Sequence, residues 1–297
     1  MNQNKKQIKV VVVIPTFNNS DTLGDCVKSV LEQNLKPFKI IIVNNGGEDI
    51  SMGEMKIQNP KSKIQTIRHK YNLGVAGGRN RGIKEAGENY DYIFFFDHDM
   101  VADRDMLRKL VKVAESDKKI GIVTPKIYYW EEKDRIWSAG TGMNLWTGQV
   151  LFRGGLDRGQ YEKTEEVQVA PAAMLVKKVV IDNVKGFEEK YFATYEDTDF
   201  CFRAKRAGYK IFYAPKAVAF HKLSTNSKEE ADRLLSRAYW VGRNRIIFMK
   251  SFGRNMLIFV TFLPLYTIYY LKLALQRRRL SDWFLFLKGT VDGLLTS

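Results

Sequence analysis

Apolar runs alternate with helical patterns over residues 8–124, and this alternation constrains the fold more than any other feature of the sequence. Residues 8–14 (IKVVVVI) form a β-branched run closed by Pro15, which is typical of a strand buried on both faces. Strands separated by helices indicate a doubly wound, mostly parallel α/β sheet with flanking helices. The predicted strands are 8–14, 38–43, 64–68, 92–96 and 120–124, and the predicted helices are 21–33, 74–86 and 103–115.

The second half of the chain is less regular. Residues 130–169 are rich in Gly, Trp and charge, and are too long for a passive loop in a compact domain, so we expect a mobile covering segment with short strands. Regular patterns then return as a strand at 173–177, a helix at 197–207, a strand at 210–213 and a helix at 228–250. We place a catalytic α/β domain at 1–225 and a helical C-terminal region at 226–297.

Polar side chains follow several of the predicted strands. Thr16 and Asn18 follow the first strand, Asn44 and Asn45 the second, and two carboxylates the fourth. Ligands bind outside the carboxyl ends of the strands in open α/β sheets, so we expect these side chains to converge on one crevice.

The segment 90–100 (YDYIFFFDHDM) ends an apolar strand in Asp97, His98 and Asp99. If strand geometry persists, the two carboxylates share one face and His98 lies on the other. Two carboxylates on one face suit a hard divalent cation, Mg²⁺ or Mn²⁺. The alternative is that both are loop or capping acids before the next helix.

The charge and composition of the chain limit the classes of partner that it suits. The net charge is +15, from 48 Lys and Arg against 33 Asp and Glu, which suits phosphate-bearing ligands or anionic lipid. We find no nucleic-acid-binding module and expect no nucleic acid partner. Cys26 and Cys201 form no CxxC pair and are interpreted as reduced core thiols. The N-terminal segment lacks the features of a signal peptide.

Three further segments occur around the acidic triplet in a fixed order. They are VVVIPTFNNSDTLGDCVKSVLEQ near the start, YNLGVAGGRNRGIKEA before the triplet, and YFATYEDTDFCFRAKRAGYKIFYAPKAVAFHK after it. Together the four motifs resemble the family 2 glycosyltransferases of GT-A fold, in particular the rhamnosyltransferase-like inverting enzymes, over about residues 8–225.

The resemblance implies roles for the motif residues. It implies a nucleotide-diphosphate sugar donor (UDP, dTDP or GDP), a bound Mn²⁺ or Mg²⁺, and a glycan or lipid-linked acceptor. Asn44 stands where the family usually has an Asp that contacts the base, which leaves the three nucleobases open. The implied nucleotide-sugar contacts are Pro15, Thr16, Asn18, Asn44, Asn45, Gly74, Gly77, Arg79, Asp97 and His98, and the implied metal ligands are Asp99, His221 and Asp97.

The YEDTDF motif matches the family's catalytic segment. By this resemblance Asp197 is the base that takes the acceptor proton, and Glu196 positions the acceptor or the base. The alternative is that Asp197 is only a helix N-cap. Asp199 and Arg203 are spaced as a helical ion pair.

The C-terminal region contains an apolar stretch at 256–271 with Arg and Lys on both sides. We expect the protein at the cytoplasmic face of the membrane. The stretch is interpreted as a monotopic anchor, with a single transmembrane span and a soluble dimer-forming tail as alternatives.

Two other functions fit parts of the pattern. A nucleotidyltransferase that forms nucleotide sugars shares a similar fold, but its Gly-rich signature with a catalytic Lys is absent near the N-terminus. A non-catalytic membrane scaffold is disfavoured by the intact acidic motifs.

The segment 236–245 (SRAYWVGRNR) lacks the Q-x-x-R-W motif of processive synthases, so we expect transfer of one or a few sugars.

Overall fold

The computed structural model describes residues 7–17, 21–46 and 62–296. Up to residue 129 strands and helices alternate as predicted, and each predicted element is present with ends shifted by a few residues. The elements are β1 (Val10–Thr16), α1 (Asp21–Leu31), β2 (Lys39–Asn44), β3 (Lys63–Arg68), α2 (Gly74–Ala86), β4 (Tyr92–Phe96), β5 (Met100–Ala102), α3 (Met106–Ala114) and β6 (Ile120–Tyr129).

The second half contains short strands followed by helices. The predicted short strands in the segment 130–169 are present. The elements are β7 (Arg135–Ser138), β8 (Gly142–Met143), β9 (Val150–Leu151), β10 (Gly155–Leu156), β11 (Glu165–Glu166), β12 (Ala173–Lys177), α4 (Lys178–Val184), α5 (Glu196–Arg206), β13 (Lys210–His221), α6 (Ser227–Ser236), α7 (Ala238–Phe252), α8 (Met256–Arg277) and α9 (Leu280–Leu295).

The central sheet is mixed but mostly parallel on one side. Its main path runs β10-β7-β6-β12-β4-β1-β2-β3, and β1 to β4 pair in parallel. β12 lies antiparallel between β4 and β6. Because Thr16 pairs with Asn44 and Val13 pairs with Phe95, the carboxyl ends of β1, β2 and β4 meet at one edge.

Helices cover both faces of the sheet, which explains the unbroken apolar runs. All seven residues of β1 are buried, and they alternate between two cores. Val11 and Val13 pack into one core, whereas Val10, Val12 and Ile14 pack into the other. Cys26 and Cys201 are buried free thiols, as predicted.

The acidic triplet forms a turn, so the condition on which the shared face of Asp97 and Asp99 depended, continued strand geometry, is not met. β4 ends at Phe96, and the Met100 amide donates to the Asp97 carbonyl at 3.2 Å. β5 then begins at Met100 and pairs antiparallel with β13 rather than with β4. This change of partner strand turns the chain at Asp97–Asp99.

The helix predicted at 228–250 is broken into α6 and α7 at Arg237. The C-terminal helices also join the α/β core, because Phe248 and Phe259 belong to the same hydrophobic cluster as Val11. α9 crosses α7 closely: a Cβ at Gly289 would lie 2.0 Å from the carbonyl oxygen of Tyr239. The domain boundary at 226 stays a prediction.

Candidate active site

Polar side chains from β1 and β2 lie at the edge where the parallel strands end. Thr16 and Asn45 are 3% exposed. Within the described ranges, Oγ1 of Thr16 and Oδ1 of Asn45 have no hydrogen-bond partner. Buried polar atoms are normally paired, so this edge has hydrogen-bonding capacity available for a ligand. Pro15 and Asn44 lie beside them at the ends of β1 and β2, whereas Asn18 is outside the described residues.

The two glycines predicted to face the nucleotide have packing reasons of their own. Gly74 has a φ of +71°, and a Cβ there would lie 2.1 Å from the carbonyl oxygen of Phe192. The amide of Val75 donates to the same carbonyl at 2.8 Å. At Gly77 a Cβ would lie 2.6 Å from Cβ of Leu73. Gly74 therefore lets the start of α2 approach the loop before α5, whereas Gly77 leaves room for Leu73 at the N-cap of α2; the nucleotide contacts of both glycines stay predictions.

Arg79 connects the two acidic motifs. Its side chain is 1% exposed, with Nη2 3.0 Å from Oδ1 of Asp97 and Nη1 3.3 Å from Oε1 of Glu196. The guanidinium also lies 5.3 Å from the ring centroid of Phe187. α2 thus supplies the positive charge between two acidic segments: the turn Asp97–His98–Asp99, called the DHD turn below, and the start of α5. This charge lets the two segments approach each other without a large repulsion.

Replacing Arg79 by methionine should destabilise the fold by about 3–5 kcal/mol, because two carboxylates then lose their buried counter-charge. The measurement is the free energy of unfolding in urea. Arg81→Met is the matched control, since Arg81 on the same helix pairs with Glu85 at 2.7 Å while 34% exposed. Such a surface pair contributes about 1 kcal/mol or less. Equal losses in the two variants would contradict the bridging role.

Asp99 and His221 form the second half of the site. Nε2 of His221 lies 3.1 Å from Oδ1 of Asp99. The pairing of β5 with β13 produces this contact, and the Lys222 amide donates to the Asp99 carbonyl at 2.8 Å. Burial acts to raise the pKa of Asp99, but the hydrogen bond and charge of His221 outweigh it and lower that pKa to about 2.

The residues present fit a divalent cation that is completed by its substrate. In the described part of the chain, no group of three or more His, Cys, Asp or Glu side chains is arranged to hold a metal ion. Mg²⁺-type sites, however, commonly use one or two carboxylates together with substrate phosphates and water. Asp99 and His221 supply two adjacent ligands. Oδ1 of Asp97 pairs with Arg79, which leaves Oδ2 as the less engaged oxygen for a metal, and His98 is a partly exposed turn residue.

The start of α5 presents a pair of carboxylates with altered acidity. Glu196 is 6% exposed, and burial, followed by the charge of Asp197, raises its pKa against the opposing effect of Arg79. Burial also raises the pKa of Asp197, against Arg79 and the hydrogen bond from the Thr198 amide at 2.6 Å. Two neighbouring carboxylates with raised pKa values are typical of groups that exchange protons in catalysis.

Two alternatives raised for this helix are now decided. The N-cap of α5 is Tyr195, so Asp197 lies inside the first turn and is not the N-cap. The predicted helical pair is confirmed, because Nε of Arg203 lies 2.6 Å from Oδ2 of Asp199.

Two side chains near the site were not singled out from the sequence. The ring of Trp137 packs edge-on against His221 with centroids 4.5 Å apart, and it fixes the imidazole from the β7 side. Arg245 on α7 donates from Nε to the hydroxyl of Tyr195 at 3.2 Å. No local sequence motif indicates a role for Trp137. Arg245 lies in the triplet 243–245 (RNR), which was compared only with the Q-x-x-R-W motif of processive synthases.

The chain belongs to glycosyl transferase family 2, whose family pattern matches residues 11–184. It is 28% identical over 238 residues to the pre-mycofactocin glycosyltransferase of Mycobacterium tuberculosis (strain ATCC 25618 / H37Rv), with 78% of this chain and 46% of that protein covered. The chain thus spans about half the length of that curated relative.

Solved structures share the fold at low identity. The mannosyltransferase PcManGT from Pyrobaculum calidifontis, in complex with GDP-Man and Mn²⁺, matches with a TM-score of 0.59 and 14% identity, covering 99% of this chain and 77% of that one. GalNAc-T7 with UDP, GalNAc and Mn²⁺ matches with a TM-score of 0.61 and 12% identity, covering 82% and 51%. The predicted GT-A fold is therefore confirmed.

Proposed function

We propose that this protein is an inverting, metal-dependent glycosyltransferase. It transfers a sugar from a nucleotide-diphosphate donor to a glycan or lipid-linked acceptor at the cytoplasmic face of the membrane. The observation that carries this proposal is the Arg79 bridge, in which one guanidinium pairs with Asp97 of the acidic turn and with Glu196 at the start of α5, next to Asp197. This closeness supports a site in which the acidic turn serves the donor diphosphate and α5 serves the acceptor.

The donor lies along the carboxyl ends of β1, β2 and β4 in this proposal. Thr16 and Asn45 offer unpaired buried oxygens to the nucleoside, and Asn44 lies next to them. Asp99 and His221 would hold Mn²⁺ or Mg²⁺, and Oδ2 of Asp97 would be available as a further ligand. A cation bound there would supply Lewis-acid stabilisation of the diphosphate charge. PcManGT and GalNAc-T7, whose structures contain Mn²⁺ with GDP-Man or UDP, support this assignment.

The acceptor side of the site is built on α5. Asp197 takes the proton of the acceptor hydroxyl while the acceptor oxygen forms a bond to the anomeric carbon. The bond from that carbon to the diphosphate oxygen breaks, and its electron pair leaves with the nucleoside diphosphate. Attack from the face opposite the leaving group inverts the anomeric centre. Glu196, held by Arg79, keeps the acceptor or the base oriented.

The products distinguish this proposal from its enzymatic rival. The protein is incubated with Mn²⁺ and UDP-, dTDP- or GDP-sugars together with membrane lipid extract, and released nucleotides are separated by chromatography. A glycosyltransferase releases nucleoside diphosphate and labels the acceptor with sugar. A parallel incubation supplies nucleoside triphosphates and sugar 1-phosphate instead of the nucleotide sugars, and pyrophosphate release there, with formation of the nucleotide sugar, would indicate a nucleotidyltransferase. Folded protein that releases neither, with all three donors, would support the non-catalytic scaffold.

The C-terminal helices provide a surface for membrane attachment. Within the described ranges, α8 is the one helix that is long and apolar enough to cross a bilayer, and most of its side chains are not buried in the protein. α8 is nevertheless docked along its length. The Tyr266 hydroxyl donates to the Thr147 carbonyl at 3.0 Å, the rings of Tyr270 and Phe286 stack at 4.2 Å, and Arg277 pairs with Asp232 at 2.6 Å. Docking along one face favours a helix that lies on the membrane over one that spans it.

Flotation with liposomes containing anionic lipid tests this attachment. The wild-type protein should rise with the vesicles. A variant with Leu257→Ser, Leu265→Ser and Ile268→Ser should remain at the bottom, because these side chains are 81%, 60% and 62% exposed on α8. The control variant Phe38→Ser/Val179→Ser removes two exposed apolar side chains, each 46% exposed, that lie before β2 and on α4 and not on the C-terminal helices, and it should still float. Wild-type protein that stays soluble without detergent would contradict the attachment.

A further inference from the structure

The loop that leads into α5 has an unusual backbone conformation. Thr194 and Tyr195 are consecutive non-glycine residues with φ values of +66° and +68°. L-amino acids avoid this left-handed region, and such strain persists only where surrounding contacts impose it. The next two residues are Glu196 and Asp197, so the strained pair sets the direction in which α5 begins.

Three successive residues of α7 hold this loop. Nη1 of Arg243 donates to the Lys190 carbonyl at 2.8 Å. Nδ2 of Asn244 donates to the carbonyls of Ala193 at 2.8 Å and Thr194 at 3.0 Å. Asn244 is fully buried, and its two bonds end on Thr194, one of the two strained residues, and on Ala193 directly before it. α7 thus provides the contacts that the strained backbone requires.

Arg245 is the third α7 residue that holds the loop, and burying its charge is energetically unfavourable. The residue is 8% exposed, Nε donates to the Tyr195 hydroxyl at 3.2 Å, and the guanidinium lies 3.8 Å from the ring centroid of Tyr266. Among the residues that the structure describes, Nη1 has no hydrogen-bond partner and no carboxylate pairs with this guanidinium. Burying a charge without a counter-ion is unfavourable, and an apolar side chain of similar volume would usually stabilise the fold more.

We propose that Arg245, together with Asn244, is a positioning residue that fixes Tyr195 and thereby aims the carboxylates at the start of α5. The inference rests on the proposed glycosyl transfer and adds to it a residue outside the donor and metal motifs. Arg245 touches neither the donor edge nor the DHD turn in the contacts described above. Its loss should therefore lower kcat and leave the donor KM unchanged.

The test compares kcat, donor KM and thermal midpoint for Arg245→Met, Arg245→Lys and Tyr195→Phe. Misplacing a catalytic group by about 1 Å can cost about 100-fold, so Arg245→Met should lower kcat by about 10- to 100-fold. Arg245→Lys keeps the charge but loses the planar fork, and should recover only part of the rate. Because Arg245 acts through Tyr195, the double variant Arg245→Met/Tyr195→Phe should be no slower than Arg245→Met alone.

Arg206→Met is the matched control for stability. Arg206 lies at the far end of α5, stacks on Phe252 at 4.1 Å and donates to the Ser251 carbonyl of α7. Like the removal of Arg245, its removal deletes one hydrogen bond and one contact with an aromatic ring, but here both contacts join the far end of α5 to α7, and kcat should stay near the wild-type value. If Arg245→Met folds and keeps its kcat, or if Arg206→Met and Arg245→Met lower kcat equally, the inference is overturned.

Failure of the two proposals can be told apart. Wild-type protein that transfers no sugar overturns the proposed function and the inference with it. Wild-type turnover that does not respond to Arg245→Met or to Tyr195→Phe overturns the inference alone. If Arg245→Met does not fold, Tyr195→Phe decides, because it removes one hydroxyl and should still lower kcat without changing the donor KM.

Discussion

Asp197→Asn lowers kcat by about 100- to 10,000-fold, the usual contribution of a general base. The amide has nearly the same shape as the carboxylate but cannot accept the acceptor proton. Nucleotide binding with Mn²⁺ should be unchanged, because Asp97 and Asp99 lie in the turn between β4 and β5 and His221 lies at the end of β13. Initial rates and calorimetric nucleotide affinity are measured on the same preparation.

Asp199→Asn is the control for this prediction. Asp199 lies two residues further along α5 and pairs with Arg203 at 2.6 Å, on an ion pair separate from Arg79. This variant should lose stability and retain most of its turnover. Equal loss of turnover at Asp197 and Asp199 would mean that the helix, and not the base, had been damaged.

The pH dependence of kcat/KM tests the same assignment, because kcat/KM reports the pKa values of the free enzyme. A base must be deprotonated, and burial raises the pKa of Asp197 against the opposing charge of Arg79, with Glu196 and Asp97 as the other charged groups that face it. The value of kcat/KM therefore falls as pH decreases through a value above the ordinary pKa of an aspartate, about 3.9. An acid limb at or below that value would contradict the assignment of Asp197.

Asp99→Ala is the second large effect. It removes a carboxylate that pairs with His221 and leaves the metal with too few protein ligands, so kcat with saturating Mn²⁺ should fall by about 1,000-fold. Chelation of the metal by EDTA should have the same effect on the wild-type protein and be reversed by added Mn²⁺. Turnover is measured by release of nucleoside diphosphate.

Asp103→Asn is the matched control for Asp99→Ala. The Asp103 side chain is 45% exposed and pairs with Lys109 at 3.5 Å outside the site. Its replacement should leave the metal dependence unchanged. Wild-type turnover that persists in EDTA, or near-normal turnover of Asp99→Ala, would remove the metal from the proposed mechanism.

The sequence predicted the sheet well because its strands are buried on both faces. The apolar, β-branched run in β1 is typical of a strand that is buried on both faces. The edge at which Thr16 and Asn44 meet follows from the parallel pairing of β1 and β2. The acidic turn was harder to predict. Period-two alternation assumed that β4 continues, whereas β5 leaves it to pair with β13, and no local signal marks that change of partner.

The features of the site that could not be predicted from the sequence are contacts between residues that are distant in the chain. Arg79 was interpreted as a nucleotide contact because of its neighbouring glycines, yet its side chain is buried between Asp97 and Glu196, which is 117 residues away. Arg245 acts on a loop about 50 residues before it, through a hydrogen bond to Tyr195 that depends on how α7 packs. Rules based on residue spacing apply within one helix or strand, so they do not predict contacts between side chains of different elements.

The most direct test of the account is calorimetric titration of detergent-solubilised protein with UDP, dTDP and GDP, each with and without Mn²⁺. The account predicts that one nucleotide binds, that binding requires Mn²⁺, and that Asp99→Ala abolishes it while Asp103→Asn does not. Folded protein that binds none of the three nucleotides in the presence of Mn²⁺ would contradict it.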